Sequence, residues 1–176
     1  MSWRREVEAL IGTPSASPAV VVALAGRAVD CRLVGRASVP TLTAVARSSV
    51  DASVTARSAV TALPFADRSI AWLLVSFVGD ASLPATRGAL LAELWRVVAP
   101  DGTLVLVDHN RPRRLPAALV ATMLPPRPPS ARPAAAWRRL AYPTAREAHA
   151  VGFIVDRLRL AADERVQVVW TRHPRS

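Results

Sequence analysis

The chain predicts an α/β domain, a mostly parallel sheet completed by an antiparallel hairpin, and three observations carry that expectation. Ile70 to Val78 (IAWLLVSFV) is an unbroken apolar run of strand length, as expected of a strand covered on both faces. Leu90 to Val98 (LLAELWRVV) then has helical apolar spacing, and Thr103 to Val107 (TLVLV) is a second buried strand, so the succession is expected to be parallel and right-handed. Near the end, Phe153 to Leu160 and Val166 to Thr171 (VQVVWT) flank the turn residues Ala162-Asp163-Glu164, which predicts an antiparallel pair.

The remaining elements follow in chain order. Trp3 to Ile11 places Trp3, Val7, Leu10 and Ile11 on one helical face, and Gly12-Thr13-Pro14-Ser15 breaks the helix. From Pro18, AVVVALAGRA reads either as a buried strand or as a short helix opened by Ser17 as N-cap with Pro18 at its first position. The helix reading leaves Asp30 to Ala37 (DCRLVGRA) as the following strand. Val39 to Val50, with Pro40 near its start, is expected to be a helix, and Ala52 to Val60 a strand. Pro100-Asp101-Gly102 is expected to be a turn between the central helix and strand. Past Asn110 the composition shifts to RPRRLP and PPRPPSARP, too dense in proline for a helix or an interior strand, so about 111–136 is read as a surface excursion. Thr144 to Val151 is expected to be a helix stopped by Gly152.

Composition bounds the function. A chain of 176 residues has the size of one domain, and its 51% apolar content is dominated by Ala, Val and Leu. All 23 basic residues are arginine against 13 acidic ones, a net charge of +10. Two readings stand: a codon bias toward Arg and Ala, or an anionic partner. The arginines are scattered from Arg4 to Arg175 with no RNA-module signature, which points away from nucleic acid. A protein that bound RNA through them would lose affinity steeply with salt. Cys31 is the single cysteine, so there is no internal disulfide, and a reducing cytoplasm is the simplest location. The apolar run Ala19 to Gly26 is too short to span a bilayer, and the acidic Glu6 and Glu8 argue against a leader, so no membrane association is expected.

ALPFADRSIAWLLVSFV followed by LLAELWRVVAPDGTLVLVD resembles the central motifs of class I S-adenosylmethionine (SAM) dependent methyltransferases, particularly those acting on small molecules. The closing AHAVGFIVDRLRL and VQVVWTRHP are similar to that family's last helix and terminal hairpin. The likeness is close from Ala62 to Pro174 and weaker from Gly12 to Val60. It implies a Rossmann-like domain, with helices on both faces of the sheet, that transfers a methyl group from SAM to a small-molecule acceptor. The family's cofactor site needs a Gly-rich loop after the first strand, a carboxylate ending the second for the ribose hydroxyls, and a polar residue near the third for adenine. Here the best match to the loop is IGTPSAS, with Gly12 alone, and Arg36 stands where the carboxylate belongs if CRLVGRAS is the second strand. Arg57, Ser58 and Ala59 occupy the place of a frequent Asp, and Ala71 replaces another acidic residue. The resemblance therefore leaves two outcomes: SAM held by main chain and apolar walls, or a non-catalytic relative that binds a protein partner.

Ligands of open α/β sheets lie at the carboxyl ends of the strands. The cofactor candidates are accordingly Gly12, Arg36, Leu63, Phe65, Ser76 and Phe77. Asp108 and His109 are the catalytic candidates, His109 as general base toward the acceptor and Asp108 orienting it. The competing reading is that Asp108 and Asn110 cap a turn and His109 is a solvated loop residue. His149, in a helix, and His173, in a frayed tail, lack partners at ligand spacing, so no metal is expected. Trp137-Arg138-Arg139 with Tyr142 is read as an amphipathic helix with a basic edge, with a lid over the cleft or a base-stacking surface as the alternatives.

Overall fold

A computed structural model describes residues 3–12, 16, 19–24, 41–44, 56–58, 62–76, 84–110 and 143–175. In chain order their elements are α1 (Trp3–Ile11), β1 (Ala19–Leu24), β2 (Thr41–Ala44), β3 (Ala56–Ser58), β4 (Ile70–Ser76), α2 (Pro84–Val97), β5 (Val98–His109), α3 (Thr144–Val151), β6 (Ile154–Ala161) and β7 (Val166–Arg172). The seven strands make one sheet in the order β3-β2-β1-β4-β5-β7-β6. β1 to β5 are mutually parallel, and β7 runs antiparallel between β5 and β6. The first five strands thus have the doubly wound arrangement, with the chain reversing its direction of travel across the sheet between β1 and β4.

The apolar runs are continuous because helices cover both faces of the centre. Leu73, Val75, Leu104 and Leu106 face one way and meet Leu90, Leu91, Leu94 and Val97 of α2, Ala148 of α3 and Phe153. Trp72, Leu74, Val105 and Val107 face the other way and meet Val7 and Ile11 of α1 with Val168 and Trp170 of β7. Alternation of side chains along each strand sorts the two sets. Glu6 of α1 accepts a hydrogen bond from the Ala162 N–H at 3.1 Å, which ties α1 to the β6–β7 turn.

Three expectations are corrected. Ala19–Leu24 is strand β1, so of the two readings of AVVVALAGRA the strand holds and the helix falls; its backbone pairs with β4 from Ala19 and with β2 from Val21. Thr41–Ala44 is strand β2 rather than part of a helix spanning Val39 to Val50, because parallel pairing with β1 overrides weak local preference. Asp30 to Ala37, read as a second strand, lies outside the described residues. The expected turn at Pro100-Asp101-Gly102 is instead a kinked stretch within β5, with Asp101 at φ 59°. Its backbone pairs with the chain end, the His173 N–H donating to the Gly102 carbonyl at 2.9 Å and the Asp101 N–H to the His173 carbonyl at 3.1 Å. Gly102 is needed there because a Cβ would stand 2.6 Å from the Ala99 carbonyl oxygen. The expected helix at Thr144 to Val151 and the terminal hairpin are present as read. Gly152 closes the helix in the left-handed conformation, φ 117°.

Candidate functional site

The crossover between β1 and β4 makes the crevice at their carboxyl ends the place where a fold of this kind meets ligands. Ser76, the last residue of β4, sits there, in register with Ala23 of β1 on one side and Val107 of β5 on the other. Its side chain is fully buried, and among the described residues its Oγ is the one buried side-chain polar atom without a hydrogen-bond partner. A hydroxyl withdrawn from water without a partner costs on the order of 1–3 kcal/mol. Such an atom has hydrogen-bonding capacity left for a water or a polar ligand group.

Beside it, the end of β5 carries a buried ionic network. Asp108 is wholly buried and Arg87 of α2 is 3% exposed. Both Nη1 and Nη2 of Arg87 donate to Asp108 Oδ2 at 3.3 Å. Thr144 of α3 donates its hydroxyl to the same oxygen at 2.7 Å, and Asp108 Oδ1 accepts the His109 backbone N–H at 2.8 Å. Arg87 also reaches Glu147, through Nε at 3.1 Å and through Nη2. Gln167 of β7 donates to the His109 carbonyl at 2.9 Å and to the Thr144 hydroxyl at 3.4 Å. The backbone of His109 is therefore held through both its N–H and its carbonyl, and the side-chain amide of Asn110 donates to the Glu164 carbonyl at 2.7 Å.

Asp108 and His109 thus lie at the expected end of the sheet, with the His109 side chain half-buried. The hydrogen bond between the neighbours is donated by the main-chain N–H of His109 to Asp108 Oδ1. Leu63 and Phe65 are placed elsewhere. Leu63 is a core residue, its N–H donating to Glu93 at 2.7 Å, and its carbonyl and that of Phe65 accept from Arg96 at 3.1 and 2.9 Å. Arg96 also grips Glu93 with two bonds, at 2.6 and 2.9 Å, and pairs with Asp67. Nine residues separate Arg96 from Arg87, roughly 13 Å along the helix. The Leu-Pro-Phe turn is therefore a buttress at the amino end of the sheet rather than a wall beside Ser76. The Arg96 hydrogen bonds hold the Glu93 carboxyl below its ordinary range, against the opposing effect of burial.

The register moves the cofactor motifs. Gly12 ends α1 and precedes β1, so the loop after the first strand is not IGTPSAS; the sequence that follows β1 is Ala25-Gly26-Arg27. β2 ends at Ala44, so Arg36 does not end the second strand. The six residues that follow β2, Val45-Ala46-Arg47-Ser48-Ser49-Val50, contain no carboxylate; the first is Asp51, seven positions after Ala44. Arg36, Phe77 and the Trp137 to Tyr142 cluster lie outside the described residues. His173 is not a frayed residue but is buried, stacked on Trp95 at 3.9 Å between ring centroids. Among the described residues no group of three His, Cys, Asp or Glu side chains converges, and no helix is long and apolar enough to cross a membrane.

Sequence reading missed Arg87, Thr144, Glu147 and Gln167. One signal was available: Arg87 lies three residues before Leu90 on the stripe continued by Leu94 and Val97, a charge on an apolar face.

No family model and no curated protein matches the chain. Solved structures do. A SAM-dependent methyltransferase from Mesorhizobium loti is 12% identical at a TM-score of 0.62, with 98% of each chain covered. A complex of the Haloferax volcanii Trm112 methyltransferase activator with a methyltransferase matches at 14% identity and 0.62, covering 99% of this chain and 90% of that one. The [4+2]-cyclase SpnF matches at 10% identity and 0.60, covering 98% and 81%. The chain has the class I SAM-dependent methyltransferase-like fold. At these identities the likeness is one of architecture, and the cyclase shows that this architecture also carries other chemistry.

Proposed function

We propose that the crevice at the carboxyl ends of β1, β4 and β5 binds SAM and supports methyl transfer to a small-molecule nucleophile. The observation that carries the reading is the buried, unpartnered Ser76 Oγ at the switch point. SAM, when bound, would supply an electrophilic methyl group on a sulfonium sulfur. The protein's share is to hold the ligands in line, exclude water and take the acceptor's proton, the last a task for the imidazole of His109. The rigid His109 peptide unit supports this reading, because a base on a fixed backbone needs less reorganisation.

The fit to the cofactor is partial. Ser76 offers a polar contact, whereas the six residues immediately after β2 carry no carboxylate for the ribose. Each missing charge-assisted hydrogen bond costs about 1.5–3 kcal/mol, so weak affinity is expected. That absence favours a second reading, a non-catalytic relative that keeps the fold to bind a protein partner in the cytoplasm.

Isothermal titration with SAM and with S-adenosylhomocysteine separates the two. Heat with micromolar affinity supports the methyltransferase; no heat and no thermal stabilisation at millimolar ligand retires it in favour of the protein-binding reading.

A further inference from the structure

We propose that Arg87 is a positioning residue for the crevice, acting through Asp108 to fix the His109 peptide at the lip where an acceptor would lie; this rests on reading the crevice as a cofactor site. Two observations lead there, against the general background that well-packed apolar residues of similar volume commonly serve a core as well as or better than a buried ion pair. What the guanidinium adds is orientation: two nitrogens converge on Asp108 Oδ2, which leaves Oδ1 directed at the His109 N–H. The carboxylate is simultaneously held by the Thr144 hydroxyl, so α2, α3 and β5 are registered against one another at the ligand end.

The network also ties the end of β5 to the start of α3. Asp108 and His109 end β5 and Asn110 follows it, Thr144 opens α3, and Gln167 of β7 joins the His109 carbonyl to the Thr144 hydroxyl. A displacement of Arg87 is therefore passed to the lip by three covalent or hydrogen-bonded steps: Arg87 to Asp108, Asp108 to the His109 N–H, and His109 to Asn110. The other arginine of α2, Arg96, holds the far end of the helix and provides the internal control.

The full chain would be compared with Arg87→Lys, Arg96→Lys and the double variant Arg87→Met with Asp108→Leu. Lysine keeps the charge and loses the fork. The readouts are melting temperature, S-adenosylhomocysteine affinity by calorimetry, and the amide resonances of His109 and Asn110. Arg87→Lys is expected to weaken the ligand by about tenfold or more and to move both amides, whereas Arg96→Lys leaves affinity within about twofold and the amides in place. The double variant, which removes both charges of the Arg87–Asp108 pair, is expected to bind as weakly as Arg87→Lys and to move both amides. Unchanged affinity in both Arg87 variants, or amides that stay in place, overturns the proposal. If the parent itself binds neither SAM nor its product, the cofactor reading has failed. The amide shifts then decide the positioning role alone: movement in Arg87→Lys and not in Arg96→Lys upholds it, and any other pattern overturns it.

Discussion

Arg87 and Arg96 stand on the same helix and use the same chemistry, yet burial gives them different work. Arg96 is about one-third exposed and braces a surface turn with Glu93, Asp67 and two carbonyls, so water competes for every bond it makes. Arg87 is 3% exposed and faces a carboxylate with no exposure at all. Removing one partner of a buried pair strands a charge in a medium that cannot solvate it, while removing one partner of an exposed pair returns the other to solvent. The carboxyl end of the sheet therefore concentrates polar groups that are costly to disturb, and the orphaned Ser76 hydroxyl lies at that end too.

The largest effect expected of this contrast is from Arg87→Met, which takes the guanidinium away from the buried Asp108 carboxylate and should cost about 3–5 kcal/mol in a denaturant titration. A loss below about 1 kcal/mol would mean that the two arginines are equivalent and the contrast is wrong. Gly102→Ala, at the amino end, should cost about 1–3 kcal/mol, because the new Cβ meets the backbone of Ala99 at 2.6 Å and backbone cannot turn aside as a side chain can. Its effect should leave ligand affinity unchanged, which calorimetry would show.

Ser76→Ala is expected to act in the opposite direction, stabilising the free protein by up to about 1 kcal/mol because it removes a buried hydroxyl with no partner. The same substitution should weaken S-adenosylhomocysteine, and a variant that is both less stable and equally competent in binding would dissociate Ser76 from the site. The smallest effect is expected from Glu93→Gln. The Glu93 carboxyl is held below its ordinary value of 4.5 chiefly by the Arg96 hydrogen bond, so its contribution is complete above that value and is lost as pH falls through the depressed one. The difference in melting temperature between the parent and Glu93→Gln should accordingly shrink on acidification; a constant difference from pH 6 to pH 3 would contradict the assignment.

Legibility in the sequence followed the same division. From Ile70 onward the apolar runs were long enough, and their periods distinct enough, to place β4, the body of α2, α3 and the hairpin. Upstream, AVVVALAGRA was short and fitted two periods, and the placement of Gly12 and Arg36 depended on that choice. Once pairing with β4 makes Ala19–Leu24 the first strand, both residues leave the positions assigned to them. The position of Asp108 and His109 at the end of β5 was legible because a clear apolar run leads into them; their link to Thr144 and Gln167 was not, since those lie 36 and 59 positions further along the chain.

The sequence by itself determined that strands would be buried on both faces, that a parallel unit would occupy the centre, and that the chain would close in an antiparallel pair. These follow from local periodicity, which a linear text carries in full. Only the tertiary structure decided that β7 inserts between β5 and β6, that Arg87 points inward at Asp108, and that Ser76 is left without a partner. Each of those depends on which distant groups exclude water from one another, and that is a property of packing rather than of sequence order.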